Sequence, residues 1–172
     1  MTTHPAEYFL PAIPLATRFL LCLRWRALMA ERLPELAQER DIHRTFIFSL
    51  AGFSFTAVAG FAVLDSAARV TLQLPTWYML VSFVSLLGSL NLQSYKSKRW
   101  QNQLATALLE VGTLSLMFAL VALLFSAHFG CEFQWVATVV TLGSWWTDHV
   151  IRIRLEYKYL TRRLARIRRR SV

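Results

Sequence analysis

Long runs without a charged side chain, separated by short clusters of arginine and lysine, set the pattern of this chain. Residues 45–64, 70–95 and 133–147 carry no Asp, Glu, Lys or Arg, and residues 100–131 carry only Glu110. A helix that crosses a bilayer needs roughly 20 mostly apolar residues. Four segments fit, at about residues 45–64, 75–92, 104–129 and 133–151. Surface helices of water-soluble domains carry a charged face along one side, and these segments show none. The pattern predicts an all-α, polytopic membrane protein with four transmembrane helices.

The flanks have a different pattern. Residues 15–33, LATRFLLCLRWRALMAERL, mix Leu, Phe and Trp with Arg, and Ala16, Leu20, Leu23, Ala27 and Ala30 recur on one helical stripe. Such an amphipathic helix can lie in the headgroup plane or pack on another cytosolic helix. Pro34 ends it and suits the first turn of a new helix. The next residues, PELAQERDIHR, place acids before bases, as the helix dipole favours, and lead without a breaker into the first span. At the other end Trp146, Val150, Ile153, Tyr157, Leu160, Leu164 and Ile167 step by 4, 3, 4, 3, 4 and 3, a heptad seam. Residues 151–159 also alternate like a strand, but the longer window, free of Gly and Pro after Gly143, favours one helix continuing the fourth span as a coiled-coil-like extension. Three regions follow: a cytosolic or interfacial helical arm over 1–44, a transmembrane domain over 45–151, and a basic cytosolic helix over 152–172.

Charge fixes the expected orientation. The chain carries a formal +9, and nine Lys/Arg against one Glu in residues 152–172 account for +8 of it. Basic flanks stay cytosolic. The arm, the loop over 93–103 and the tail together hold 18 of the 19 Lys/Arg, and the opposite loops, residues 65–74 and 130–132, hold Arg69 alone. Both termini are therefore expected in the cytosol, in a multi-pass protein of the cell inner (plasma) membrane. Trp77, Tyr78 and Trp135 at the outer level and Trp100, Trp145 and Trp146 at the inner one read as interfacial anchors. The first forty residues lack an apolar stretch followed by a small-residue cleavage site, so the first span is expected to direct its own insertion. Cys22 and Cys131 fall on opposite sides of the membrane, too far apart to pair.

Candidate chemistry is sparse. Phosphate-binding Gly loops, His-Glu-x-x-His, Cys-x-x-Cys and nucleophile-elbow patterns are missing, and the reading is non-enzymatic, with no cofactor and no metal. Glu110 is the sharpest residue, because a carboxylate deep in an apolar span is costly and faces a partner or water. It shares a side with Thr106, Thr113 and Met117, a candidate pore lining or proton site; a structural hydrogen bond to Ser85, Ser89 or Asn91 is the plainer expectation. Ser144 and Asp148 extend this polar set on the fourth span, where Asp148 is spaced to pair with Arg152. Gly52, Thr56 and Gly60 form a small-xxx-small run suited to close helix association. Together with the seam residues Ile153, Tyr157, Leu160, Leu164 and Ile167 it points to a homo-oligomer. Arg162, Arg163, Arg166, Arg168, Arg169 and Arg170 are the candidate contacts to anionic lipid headgroups or a cytosolic protein partner.

The expected function is a self-associating pore- or channel-type or membrane-anchoring component. Two other readings stay open. One is an anchor subunit of a redox complex holding b-type haem between His43 and His149. The other is a tether for nucleic acid, disfavoured because basic residues beside a membrane follow from topology alone. Four spans with short outer loops and basic cytosolic helices recur in many unrelated small proteins, among them bacteriocin immunity proteins, phage-defence membrane components, channel subunits and respiratory anchors; this analogy of shape names no family and leaves a bacterial defence or immunity system as one setting.

Overall fold

The structure, a computed structural model, describes residues 11–29, 37–94, 98–127 and 130–170. The chain is all-helical, with seven helices among these residues: α1 (Ile13–Arg24), α2 (Arg26–Met29), α3 (Ala37–Ala62), α4 (Ser66–Thr71), α5 (Gln73–Ser94), α6 (Arg99–Ser126) and α7 (Cys131–Arg170). It divides into two compact units, Met1–Gln134 and Trp135–Val172.

In the first unit α5 lies between α3 and α6 and runs antiparallel to both. Ile47 and Ala51 of α3 pack with Leu86 of α5, and Val58 and Phe61 pack with Tyr78 and Met79, so numbering rises along α3 as it falls along α5. Ala119 of α6 joins Tyr78 and Met79, and Phe118 stacks on the Tyr78 ring at 5.4 Å. Between these apolar levels the helices touch through small polar groups. The Ser54 and Ser82 hydroxyls lie 3.1 Å apart across α3 and α5, and Ser89 Oγ donates to the Ala105 carbonyl of α6 at 2.8 Å. Gly112 sets the closest approach of α5 and α6: a Cβ there would stand 2.7 Å from Leu86 Cγ and 3.3 Å from the Ser82 carbonyl oxygen. Arg44 Nη2 donates to Ser94 Oγ at 2.8 Å, joining the start of the apolar part of α3 to the end of α5.

The connections are short. Asp65 caps α4 by accepting from the Ala68 N–H at 2.8 Å, which turns much of the loop expected over 65–74 into helix. Pro75 stands in the first turn of α5, where its missing N–H is harmless. The Gln101 side chain accepts from the Lys98 N–H at 2.8 Å and closes the start of α6.

Of the four expected spans, two stand as candidates. Only Arg44–Ala62 within α3 and the whole of α6 are long and apolar enough, among the described residues, to cross a membrane. α5 falls short of that mark, and its Ser82, Ser85 and Ser89 are buried in the first unit rather than exposed. The apolar half of α7 is diluted by Gln134, Thr138, Thr141, Ser144 and Thr147.

Two further expectations change. The helix predicted over 15–33 starts earlier, at Ile13, and is interrupted at Trp25, where ψ turns to 32°; residues 30–36, Pro34 among them, lie outside the described ones. Its buried face is Pro14, Arg18 and Leu21, while Leu20 and Leu23 of the expected apolar stripe are more than half exposed. Nor do all the aromatic anchors face outward: Tyr78 is buried against Phe118.

The second unit is built on α7, a 40-residue helix about 60 Å long at 1.5 Å per residue. It is helical straight through residues 151–159, where alternation suggested a strand. The Trp145 and His149 rings stack at 5.0 Å and 10°, and Asp148 and Arg152 pair at 2.7 Å one turn apart.

Candidate functional site

A carboxylate placed among leucines and valines must find a compensating charge, because stripping an ion of water costs several kcal/mol. Glu110 finds it in Arg18. The guanidinium meets the carboxylate side-on, with Nε donating to Oε2 at 3.2 Å and Nη2 donating to Oε1. The third nitrogen, Nη1, donates to Gln103 Oε1 at 2.7 Å. Arg18 is 3% exposed, Gln103 4% and Glu110 7%.

Local structure explains how these residues meet. Gln103 and Glu110 are seven apart on α6, two turns along one face. Pro14, Arg18 and Leu21 fall at i, i+4 and i+7 on α1, so the helix docks through one face with the arginine at its centre. Pro14 fits the opening turn of α1, and Thr17 Oγ1 donates back to the Pro14 carbonyl at 3.0 Å. The planar fork of arginine matches a carboxylate with two parallel N–H bonds and leaves its third nitrogen for the amide, an arrangement lysine cannot reproduce. This is why the apolar stripe of α1 faces away from α6: the face that docks is chosen by the charge at Glu110.

The expected partners of Glu110 were on the second span, and here the structure differs. Ser89 spends its hydroxyl on the Ala105 carbonyl, and the partner comes instead from the N-terminal arm, 92 residues away in the chain. Sequence reasoning missed Arg18 and Gln103. The available signals were an arginine inside an apolar segment and an amide two turns from the one carboxylate of the otherwise charge-free run over residues 100–131.

The other polar candidates do not gather around Glu110. Thr106 Oγ1 donates to the Asn102 carbonyl at 2.9 Å, and Thr113 Oγ1 to the Leu109 carbonyl at 3.0 Å, each within its own helix. Gly52 and Gly60 stand in open space, with no atom within 4 Å of where a Cβ would be, and Thr56 between them is exposed. In the second unit Ser144 is exposed beside the Asp148–Arg152 pair. Of the seam, Tyr157 is exposed, Ile153 partly buried and Leu160 buried; the side chains of Leu164 and Ile167 lie outside the described ones. Arg162 is exposed and Arg163 Nη1 donates to the Tyr159 hydroxyl at 3.0 Å, while the side chains of Arg166, Arg168, Arg169 and Arg170 are again outside the described ones. His149 is buried, and the His43 side chain is not among those described. Among the described residues no three His, Cys, Asp or Glu side chains come together as metal ligands would.

Chemically the site is a closed ion pair with an amide attached. Both carboxylate oxygens of Glu110 accept from Arg18, so the arrangement holds α1 on α6. No family model, curated protein or solved structure matches the chain.

Proposed function

We propose that this chain is a non-enzymatic membrane-anchoring component: a four-helix membrane domain with both termini in the cytosol, self-associating, and engaging anionic headgroups and a cytosolic partner through its basic C-terminal helix. The observation that carries the reading is an inverted distribution of polarity. Arg18, Ser54, Ser82, Ser89, Gln103, Glu110 and Ser115 are buried, while Phe46, Phe48, Phe53 and Phe55 of α3 are each more than half exposed. On α7 Phe133, Trp135, Val136, Val139 and Val140 are likewise more than half exposed. Water-soluble monomers rarely expose contiguous apolar patches beyond a few hundred Å². Hydrocarbon as solvent reverses the preference, because lipid tails are as apolar as leucine and helices then associate through small residues and hydrogen bonds.

The packing supports a third span beyond the two apolar candidates. α5 lies antiparallel between α3 and α6, so a bilayer that holds those two helices holds α5 as well. The anchoring form is favoured over a pore because Glu110, the residue on which a pore would rest, is committed to Arg18. Self-association is assigned to the open face of Gly52, Thr56 and Gly60, where close approach of a second helix meets no side chain of its own unit.

The test is extraction. Membranes from expressing cells, washed with alkaline carbonate, should keep the protein in the pellet until detergent is added. Release into the carbonate supernatant would overturn the reading.

A further inference from the structure

The inner end of the first unit holds a cavity of about 310 Å³, lined by Cys22, Leu23, Arg26, Met29, Lys98 and Trp100. Three elements build it. The end of α1 and the short α2 supply Cys22, Leu23, Arg26 and Met29, and the start of α6 supplies Lys98 and Trp100. Its position follows from the ion pair: Arg18 on Glu110 and Gln103 fixes α1 along α6, which brings the next two turns of the arm to the start of that helix.

We propose that this cavity binds the headgroup of an anionic phospholipid from the cytosolic leaflet. This rests on the membrane reading above. Among the described residues its lining carries two cations, Arg26 and Lys98, and no anion. Arginine and lysine are the side chains that hold phosphate, one as a fork and one as a point charge. The remaining lining is apolar, Leu23 and Met29 with the half-exposed Trp100, as the upper part of an acyl chain requires. Tryptophan at this level is the residue that marks the membrane–water boundary. A cavity near the lower end of the usual ligand range, roughly 300–1,000 Å³, suits a headgroup with its phosphate and excludes a whole lipid. The face of α1 beside it is lipid-compatible, since Phe19, Leu20 and Leu23 are each more than half exposed. The lining includes none of the tail arginines, where anionic lipid was expected from charge alone.

The test is native mass spectrometry of the full chain, purified in detergent and equilibrated with equal amounts of phosphatidylglycerol and phosphatidylcholine. Wild type should retain phosphatidylglycerol selectively. Arg26→Gln with Lys98→Gln should lose roughly tenfold or more of that preference, since each cation near the surface contributes about a kcal/mol. Arg162→Gln with Arg163→Gln removes contacts of the tail and should lose less of it than the Arg26/Lys98 variant. Arg26→Gln alone is the milder variant, read only on monodisperse protein, and should lose part of it. Equal retention by wild type and the Arg26/Lys98 variant would overturn the site, as would a loss produced only by the tail variant. Displacement of the bound lipid by millimolar inorganic phosphate would overturn the lipid assignment in favour of a soluble anion. Carbonate extraction keeps the two claims apart: protein that stays in the membrane but shows no lipid preference contradicts this site alone.

Discussion

Arg18→Met and Glu110→Met are each expected to destabilise the folded chain by about 3–5 kcal/mol, the usual cost of leaving one buried charge without its partner. Either change strands an ion in a setting where the native residues are 3% and 7% exposed. Combining them removes both charges, so the double variant should lose less than either single one, with only the Gln103 contact left unmade. Arg18→Lys keeps the charge but not the fork that serves two carboxylate oxygens and the amide together, and should fall between wild type and Arg18→Met. Unfolding in mixed micelles, followed by circular dichroism, measures all four. Single variants within about 1 kcal/mol of wild type would mean that α1 is held by apolar packing rather than by the pair.

The second large effect is at Gly112. An alanine methyl would arrive 2.7 Å from Leu86 Cγ, and Leu86 is fully buried, so α5 and α6 must move apart or the leucine must leave its rotamer. Overpacking of this kind costs typically 1–3 kcal/mol. Gly112→Ala should therefore lower the midpoint of thermal unfolding in detergent, and in a Leu86→Ala background the same change should cost less than it does in wild type. Gly52→Ala is the control, because nothing lies within 4 Å of the added methyl. Helix propensity then favours alanine by roughly 0.5–1 kcal/mol, so the monomer should be as stable as wild type or slightly more so. A Gly112→Ala protein as stable as Gly52→Ala would contradict the close approach of the two helices.

The two glycines show what sequence can and cannot carry. Both sit in apolar helices beside small residues, and small-xxx-small spacing singled out Gly52 and Gly60 while passing over Gly112. Which small residue lies under a neighbouring leucine depends on register between helices, and no local pattern records it. Helix positions were legible because charge-free runs mark them directly, and α3, α5 and α6 lie where those runs are. Continuity of α7 through the basic tail was legible from the absence of breakers over a long window. Glu110 was legible as a residue needing a partner, since its cost is intrinsic. Arg18 was not identified as that partner, because the two are 92 residues apart and the arm carries several other arginines. On α1 the sequence left open whether the apolar stripe meets lipid or another helix; the face that docks is the one carrying Arg18, because one buried ion pair outweighs several leucines. The count of spans is the remaining gap. Charge-free length marks α5 and the first half of α7 as spans, and hydropathy does not, because polar uncharged side chains dilute both without interrupting the charge-free run.

That gap is closed most directly by the two native cysteines. Cys131 at the start of α7 is exposed, and Cys22 lies on α1. A membrane-impermeant maleimide applied to intact spheroplasts of cells expressing Cys22→Ser or Cys131→Ser reports each thiol separately. Four spans with both termini inside predict that Cys131 is labelled from outside and Cys22 only after permeabilisation. Protection of Cys131 from outside, as crossing by α3 and α6 alone would produce, or labelling of Cys22 in intact spheroplasts, would contradict the four-span architecture.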